Sequence, residues 1–430
     1  MRRKAKTVSH ENKEEPAGQS QPQAAPISGL LVFTVMFSCR LLGALNVPIL
    51  DCDEVFNYWE PLHFSLFGRG SRTWEYSPRF ALRSYFYIFL HAALVMAAEP
   101  FLHLLSPFLS KHLMRKKLLF YALRATLACL SSVCDTKLFL SVRRLHHPNT
   151  FSSVTVMLFL SCSTGLVFAS SALLPSSFAM CLISLASSSL ADLVNREALH
   201  SESSLRDRTI LCMAIAALAG WPFVALLALP MAILLLHFFT FNELILSSIK
   251  ASLIVLTPML LIEYLMYGKF VLPSLQIVLY NVLGVGGDST LYGTEESGAQ
   301  GGEVASVEVP PSLTSRPLKL CVGKEWYRFP SHFFVEGNWT SVRFIRSKFD
   351  GQLPGLFSES SGSWWGRVEA ARREDETFNS RNVQDTSRLE RSEDCALLVD
   401  MVAAHQQEEH YEVGRVEPAL GSPREGGGVE

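Results

Sequence analysis

Charge is scarce in this sequence. Only 18% of its 430 residues are Asp, Glu, Lys or Arg, against about 25% in an ordinary soluble domain. The two signs nearly cancel, to a net charge of −2, so the bulk charge gives no pull toward nucleic acid. The nine cysteines include no Cys-x-x-Cys pair. Most of them sit in apolar runs, where cysteine packs as a small hydrophobe, and their spacing argues against a disulfide framework or a zinc site. No glycine-rich loop follows a strand-like run, which removes the usual phosphate cradle of a nucleotide site. The first 26 residues hold no apolar core, so they do not read as a cleavable signal peptide. Residues 1–27 read instead as a disordered cytosolic tail, followed by an uncleaved anchor.

What the chain has is apolar length. Hydrophobic residues make up 49% of it and concentrate between about residues 27 and 270, within a membrane region read over 28–283. A helix needs about 20 mainly apolar residues to cross a bilayer. Runs at 28–47, 81–98, 118–140, 151–174, 177–194, 210–239 and 244–266 meet or approach that length, which predicts an all-α, multi-pass membrane protein of about seven spans. The basic N-terminus, Arg2-Arg-Lys-Ala-Lys6, favours the cytosolic side, so the loop 48–80 falls on the luminal one. Gly220-Trp-Pro-Phe223 interrupts the sixth run, where a proline should kink the helix. Beyond residue 283 the chain turns polar. Residues 284–319 read as a linker, 320–357 as a soluble tail segment and 358–430 as disordered. Asn338-Trp-Thr340 is a glycosylation acceptor sequence.

Asp51-Cys-Asp-Glu-Val-Phe-Asn-Tyr-Trp-Glu60 stands at the edge of the first run. Four carboxylates fall within ten residues, and twelve aromatics follow between residues 56 and 89. Tyr and Trp favour the membrane–water boundary, so this loop is expected to lie on the membrane surface. Residues 57–67 suit a short helix, ended by Gly68-Arg-Gly70. Aromatic faces can stack on sugar rings, and an acid beside them can take a proton from a sugar hydroxyl. A low-dielectric boundary raises a carboxyl pKa and strengthens it as a base. Acids at a helix end also serve as caps or simply stay solvated. Asp-x-Asp is, in addition, a carboxylate pattern that binds divalent metal against a diphosphate. A lipid monophosphate-sugar donor needs no such metal, because cations such as Arg69, Arg72, Arg79 and Arg83 can meet its phosphate.

Asp51-Cys-Asp-Glu54 with Phe-Asn-Tyr-Trp-Glu-Pro61, then Thr73-Trp-Glu-Tyr-Ser-Pro78 and Ala81-Leu-Arg-Ser-Tyr85, resembles glycosyltransferase family 22, in its endoplasmic-reticulum α-1,2-mannosyltransferase branch. Ser170-Ser-Ala-Leu-Leu-Pro-Ser-Ser-Phe178, Gly220-Trp-Pro-Phe223, Tyr267-Gly-Lys269, Asn281 and Leu291-Tyr-Gly-Thr-Glu295 extend the resemblance over about residues 28–295. A second stretch runs from Leu320 to Pro354. The resemblance implies a GT-C fold in the endoplasmic reticulum membrane. It implies dolichyl-phosphate-mannose as donor, a dolichyl-diphosphate oligosaccharide as acceptor, an α-1,2 linkage formed with inversion, and neither metal nor cofactor. It places the base in the first luminal loop. Asp53 is the first choice, with Glu54 and Asp51 orienting the acceptor, and the order among the three stays open. Trp59, Glu60, Trp74, Glu75, Arg83 and Tyr292 are the expected substrate-binding residues.

The chain also departs from the family. Glu295 runs into Glu296-Ser-Gly-Ala-Gln300, and tail-like sequence resumes by Leu320, where family members have further spans. An internally truncated, inactive membrane protein of the same family is therefore the alternative. A transporter would use charges at mid-membrane; Arg40, Arg124, Asp135, Lys137 and Asp192 are the candidates, and they form no recognisable pathway.

Overall fold

The computed structural model describes residues 28–105, 115–145, 150–195, 201–285, 318–323, 328–335, 340–347, 349, 351–358, 360, 362–399 and 417–418. Tyr292 and Asn338 lie outside the described residues, as does most of the expected linker 284–319.

The first two thirds of the chain is helical. The first helix, α1 (Gly29–Asn46), begins where the Ser28 hydroxyl accepts the Leu31 N–H, a standard N-cap. The expected acidic-loop helix follows as α2 (Cys52–Glu54), a π-helical turn Val55–Trp59, and α3 (Glu60–Phe67). Next come α4 (Tyr85–Leu105), α5 (Arg115–Leu145), α6 (Thr150–Cys162), α7 (Thr164–Ala169), α8 (Pro175–Asn195), α9 (Glu202–Ile215), α10 (Ala225–Phe238), α11 (Phe241–Tyr267) and α12 (Pro273–Leu283). Among the described residues, four helices are long and apolar enough to cross a membrane: α1, α5, α8 and α11.

Three of the seven expected spans take a different form. The run 81–98 starts late, because residues 81–84 are loop and the helix begins at Tyr85. The run 151–174 divides into α6, α7 and an irregular segment through Leu174. The run 210–239 is interrupted rather than kinked. A π-helical turn ends at Gly220, Trp221 is extended (φ −110°, ψ 109°), and a 3₁₀ turn at Pro222–Val224 starts α10. Pro222 has no N–H to continue the first helix, and its fixed φ suits the start of the second.

Two arginines inside the helices are paired with acids on neighbouring helices. Arg40 donates to Asp135 (2.5 Å), to the Ser131 hydroxyl (2.9 Å) and to the Leu160 carbonyl (3.2 Å). Asp135 also accepts from Ser184 (2.7 Å), so one buried network ties α1, α5, α6 and α8. Arg144 pairs with Asp192 at 2.5 Å. In an apolar medium this pairing is what makes such residues tolerable; they build the bundle rather than line a path through it.

The C-terminal region corrects the expectation of an all-α protein with a polar tail. Strands β2 (Leu318–Val322), β3 (Thr340–Phe344), β5 (Leu397–Val399) and β6 (Glu417–Pro418) form a sheet in the order β3-β2-β5-β6, with β2 parallel to both β3 and β5. Helix α13 (Trp364–Arg372) and two 3₁₀ turns lie within 358–430, the part read as disordered. The cysteine reading is corrected too: Cys321 on β2 is disulfide-bonded to Cys395, just before β5. This sheet packs on the acidic loop. Two-residue strands β1 (Ser71–Arg72) and β4 (Gly355–Leu356) pair antiparallel, and one apolar core runs from Phe56, Trp59 and Phe64 of the loop to Phe333, Phe344 and Phe357.

Candidate active site

Asp51 begins the acidic helix. Its carboxylate accepts the Asp53 N–H at 2.8 Å, so this acid is a cap, one of the alternatives open in the sequence. The π-helical turn then carries Asn57 and Tyr58. Pro61 has no N–H to offer the carbonyl of Asn57 four residues back; the Tyr76 hydroxyl donates to it instead, at 2.7 Å. Gly68, at φ 76°, ends the helix in the left-handed conformation that a Cβ disfavours. Gly70 passes so close to the Glu60 carbonyl that a Cβ there would sit 2.6 Å from it.

The centre of the site is Arg83. Its Nη2 lies 2.9 Å from Asp53 Oδ2 and 2.9 Å from Glu75 Oε1, and its Nη1 donates to the Tyr58 hydroxyl at 2.6 Å. Asn57 Nδ2 bridges the same two acids, at 3.2 Å to Asp53 and 2.6 Å to Glu75, and the Thr73 hydroxyl fixes the Asn57 amide through its oxygen at 2.5 Å. Two acids from separate motifs, Asp53 and Glu75, thus share one guanidinium. Arg83 is delivered by a tight turn in which Ala81 adopts φ 49°, uncommon for a residue with a Cβ. From the far end of α11 the Tyr267 hydroxyl holds the Arg83 carbonyl at 2.6 Å. Glu263 caps α4 from outside, accepting from the Ser84 hydroxyl (2.5 Å) and the N–H groups of Phe86 (3.1 Å) and Tyr85 (3.2 Å).

The three expected catalytic acids therefore separate. Asp53 is half exposed and faces both Arg83 and the open side. Glu54 is buried; its Oε1 accepts from Trp59 Nε1 (3.0 Å) and the Leu173 N–H (3.0 Å), which ties the loop to the Ser170–Phe178 stretch. Burial raises the Glu54 carboxyl pKa against these two donors. The pKa of Asp51 is raised by burial and by the neighbouring Asp53 charge. That of Glu75 is raised by burial, which outweighs the Arg83 charge beside it.

The expected substrate-binding residues divide as well. Glu75 and Arg83 join Asp53. Trp59 is buried against Phe120 (4.4 Å between ring centroids) and Phe333 (5.4 Å), and Trp74 packs with Phe80, Tyr280 and Phe378. Their faces are in the protein core, not on the membrane surface where the sequence placed them: α5 and the C-terminal region cover Trp59, and Tyr280 of α12 and Phe378 cover Trp74. Glu60 is also buried, and both its oxygens are occupied by the C-terminal region and β1. Of the four arginines considered for a phosphate, Arg69 offers its carbonyl to His63 Nδ1 at 2.6 Å, Arg72 donates to the Ala371 and Arg373 carbonyls at the end of α13 (3.4 and 3.0 Å), Arg79 lies over the Phe80 ring, and Arg83 is the one whose guanidinium meets Asp53 and Glu75.

Beside Arg83 is a cavity of about 30 Å³, lined by Tyr58, Tyr87, Gly220, Trp221, Pro273 and Ser274 among others. It draws together the Gly220-Trp-Pro-Phe223 motif, the start of α12 and the Ala81–Tyr85 turn. The Tyr87 and Ser274 hydroxyls are buried there with no partner among the described residues. No sequence signal marked Ser274 or Glu263, and Asn57 and Tyr87 stood in the acidic motif and the aromatic run without a role; their roles come from the turns that bring them in. The candidate metal-ligand atoms of Asp51, Cys52 and Asp53 lie within 4.8 Å of one another. The Asp51 carboxylate already accepts the Asp53 N–H and Asp53 is engaged by Arg83, so both carboxylates of this trio have partners.

Residues 31–297 match the Alg9-like mannosyltransferase family. The α-1,2-mannosyltransferase alg9 of Schizosaccharomyces pombe is 28% identical over 530 positions, covering 90% of this chain and 88% of that protein. The α-1,2-mannosyltransferase ALG9 of Homo sapiens is 28% identical over 533 positions, 91% of this chain and 82% of that one. The Arabidopsis thaliana ALG9 is 37% identical over 292 positions, 67% of this chain and 47% of the relative. The first two alignments are longer than the 430 residues of the chain, so each of those relatives carries many residues without a counterpart here. No solved structure matches.

Proposed function

Because this chain belongs to the Alg9-like mannosyltransferase family, we propose that it descends from, and retains the acceptor-activating site of, an enzyme that moves mannose from dolichyl-phosphate-mannose to a lipid-linked oligosaccharide. The linkage is α-1,2, the setting is N-glycan precursor assembly at the endoplasmic reticulum membrane, and the helical region is a GT-C bundle. The observation that carries this reading is the Asp53–Arg83–Glu75–Asn57 cluster. Asp53 takes the proton of the acceptor hydroxyl. The hydroxyl oxygen bonds to C1 of the donor mannose as the C1–O bond to phosphate breaks and the electron pair leaves with dolichyl phosphate. Asn57 holds one oxygen of the Asp53 carboxylate and Arg83 the other, which fixes its direction while the half-exposed side chain keeps lone pairs open to the acceptor. The Tyr87 and Ser274 hydroxyls beside it are placed to receive polar groups of a substrate.

The luminal placement is supported by the disulfide. Such bonds persist in oxidising compartments, and the sheet that carries Cys321–Cys395 packs directly on the acidic loop.

A second reading, an inactive relative, rests on its own observation. Arg83 already serves two carboxylates and Arg72 two carbonyls, so neither is left to meet the leaving phosphate. Expression of this chain in cells that lack their own α-1,2-mannosyltransferase decides between the two. Extension of the truncated lipid-linked glycan supports the enzyme, and accumulation of the protein without extension supports the inactive relative.

A further inference from the structure

Glu60 holds no exposed surface and receives four hydrogen bonds. The Ser331 hydroxyl (2.7 Å) and the His332 N–H (2.8 Å) reach Oε1; the Ser71 N–H (2.7 Å) and His332 Nδ1 (2.6 Å) reach Oε2. The other ring nitrogen, His332 Nε2, accepts the Val342 N–H at 3.1 Å. That bond assigns the tautomer: Nε2 is the acceptor, so Nδ1 carries the hydrogen that it donates to Glu60. A continuous relay therefore runs from strand β3 through His332 and Glu60 to β1. Glu60 follows directly on the π-helical turn Val55–Trp59, and Asp53 lies on the other side of that turn. A π-helical turn changes the rotational register of a helix and persists only where its surroundings hold it.

From this we propose that the C-terminal sheet is a brace for the acidic helix, latched by His332 on Glu60, and that both are positioning residues which set the direction of the Asp53 carboxylate. The catalytic part of this statement rests on the mannosyltransferase reading; the mechanical part does not. The aromatic contacts agree with it. Phe56 of the π-helical turn meets Phe329 and Phe344 of the sheet region edge-on, with centroids 6.2 and 6.3 Å apart, and Phe64 stacks on Phe357 at 3.8 Å.

The test uses side chains that mimic one ring nitrogen each. Asn places its amide N–H near the position of Nδ1, and Gln places its amide near Nε2. His332→Asn keeps the donor to Glu60; His332→Gln and Glu60→Gln remove the match. Cys52, exposed and free, lies beside Asp53 and reports on the helix. Full-length protein in microsomes is treated with N-ethylmaleimide, and labelling of the Cys52 peptide is timed by mass spectrometry.

The expected result is a change in labelling rate of about tenfold in His332→Gln and Glu60→Gln, no further change in the double variant, and a near-normal rate in His332→Asn. Ser331→Ala, which removes one donor of four, is expected to give a smaller change, and it remains informative if the stronger variants fail to accumulate. Where transfer is measurable, kcat should fall with the acceptor KM held. Unchanged labelling in Ser331→Ala and His332→Gln, or equal effects of His332→Asn and His332→Gln, overturns the brace. Loss of transfer in every variant and in the parent, with the labelling pattern as expected, overturns the enzyme reading and leaves the brace standing.

Discussion

Replacing Asp53 by Asn separates chemistry from folding more cleanly than any other change at this site. The amide has the shape of the carboxylate, and its oxygen can still accept from either Asn57 Nδ2 or Arg83 Nη2, which now reach Asp53 at 3.2 and 2.9 Å. What is lost is the charge, the basicity and one of those two hydrogen bonds, because the amide nitrogen does not accept. The Asp53 side chain is half exposed, so its ion pair is screened and contributes about 1 kcal/mol at most. Arg83 also keeps its second partner, Glu75, at 2.9 Å. Stability should therefore change by no more than about 1 kcal/mol, while removal of a general base lowers the rate by about 10²–10⁴-fold. The assay is transfer of radiolabelled mannose from dolichyl-phosphate-mannose to a purified lipid-linked acceptor, alongside thermal unfolding of the detergent-solubilised protein. It is run on this chain and on the corresponding variant of the Schizosaccharomyces pombe relative. If Asp53→Asn keeps more than a tenth of parental transfer in that relative, Asp53 is not the base. If instead the protein melts many degrees lower, the acid is structural and the exposure argument fails.

Three further outcomes follow from the same geometry. Cys395→Ser opens a link that spans 74 residues and should cost about 2–4 kcal/mol, seen as a lower unfolding midpoint and faster proteolysis of 318–399. Arg40→Leu leaves Asp135 buried without its cation and should cost about 3 kcal/mol or more; Arg40→Leu with Asp135→Leu should recover most of this, measured as monodisperse yield in detergent. Acid should weaken the brace. Burial would raise the Glu60 pKa, but the His332 ring and the other donors outweigh it and hold the acid at about 2, below its ordinary 4.5. A depressed carboxyl contributes stability that is full above pH 4.5 and is lost as pH falls toward 2. His332, His63 and Lys116 are the ionisable groups facing Glu60. Urea midpoints at pH 6, 4.5 and 3 should converge between parent and Glu60→Gln as pH falls, and a constant difference would refute the assignment.

Local sequence determined a good part of this protein. Apolar length with few charges marks α1, α5, α8 and α11, because a helix satisfies its own backbone and needs only a run of suitable side chains. Gly68 and Pro61 set the end and the start of α3 by their own backbone limits. The motifs around Asp53, Glu75 and Arg83 mark the site, although their meeting at one guanidinium is a property of the turn at Ala81.

Tertiary structure decided the rest. The parallel strands β2, β3 and β5 lie far apart in the chain and leave no hairpin signal, so a sheet was illegible where a tail was expected. The bond between Cys321 and Cys395 depends on that same pairing. The aromatics of the acidic loop suit a membrane surface and a protein core equally well by composition. Only α5 and the C-terminal region, packed on them, bury Trp59, and the C-terminal region turns Glu60 from a substrate contact into an anchor. Among Asp51, Asp53 and Glu54, residue type does not distinguish the cap, the half-exposed acid on Arg83 and the buried tie; neighbours from Leu173, Glu75 and Arg83 do. Periodicity and motifs are carried by adjacent residues, whereas the role of an acid is set by the charge and burial that distant segments bring to it.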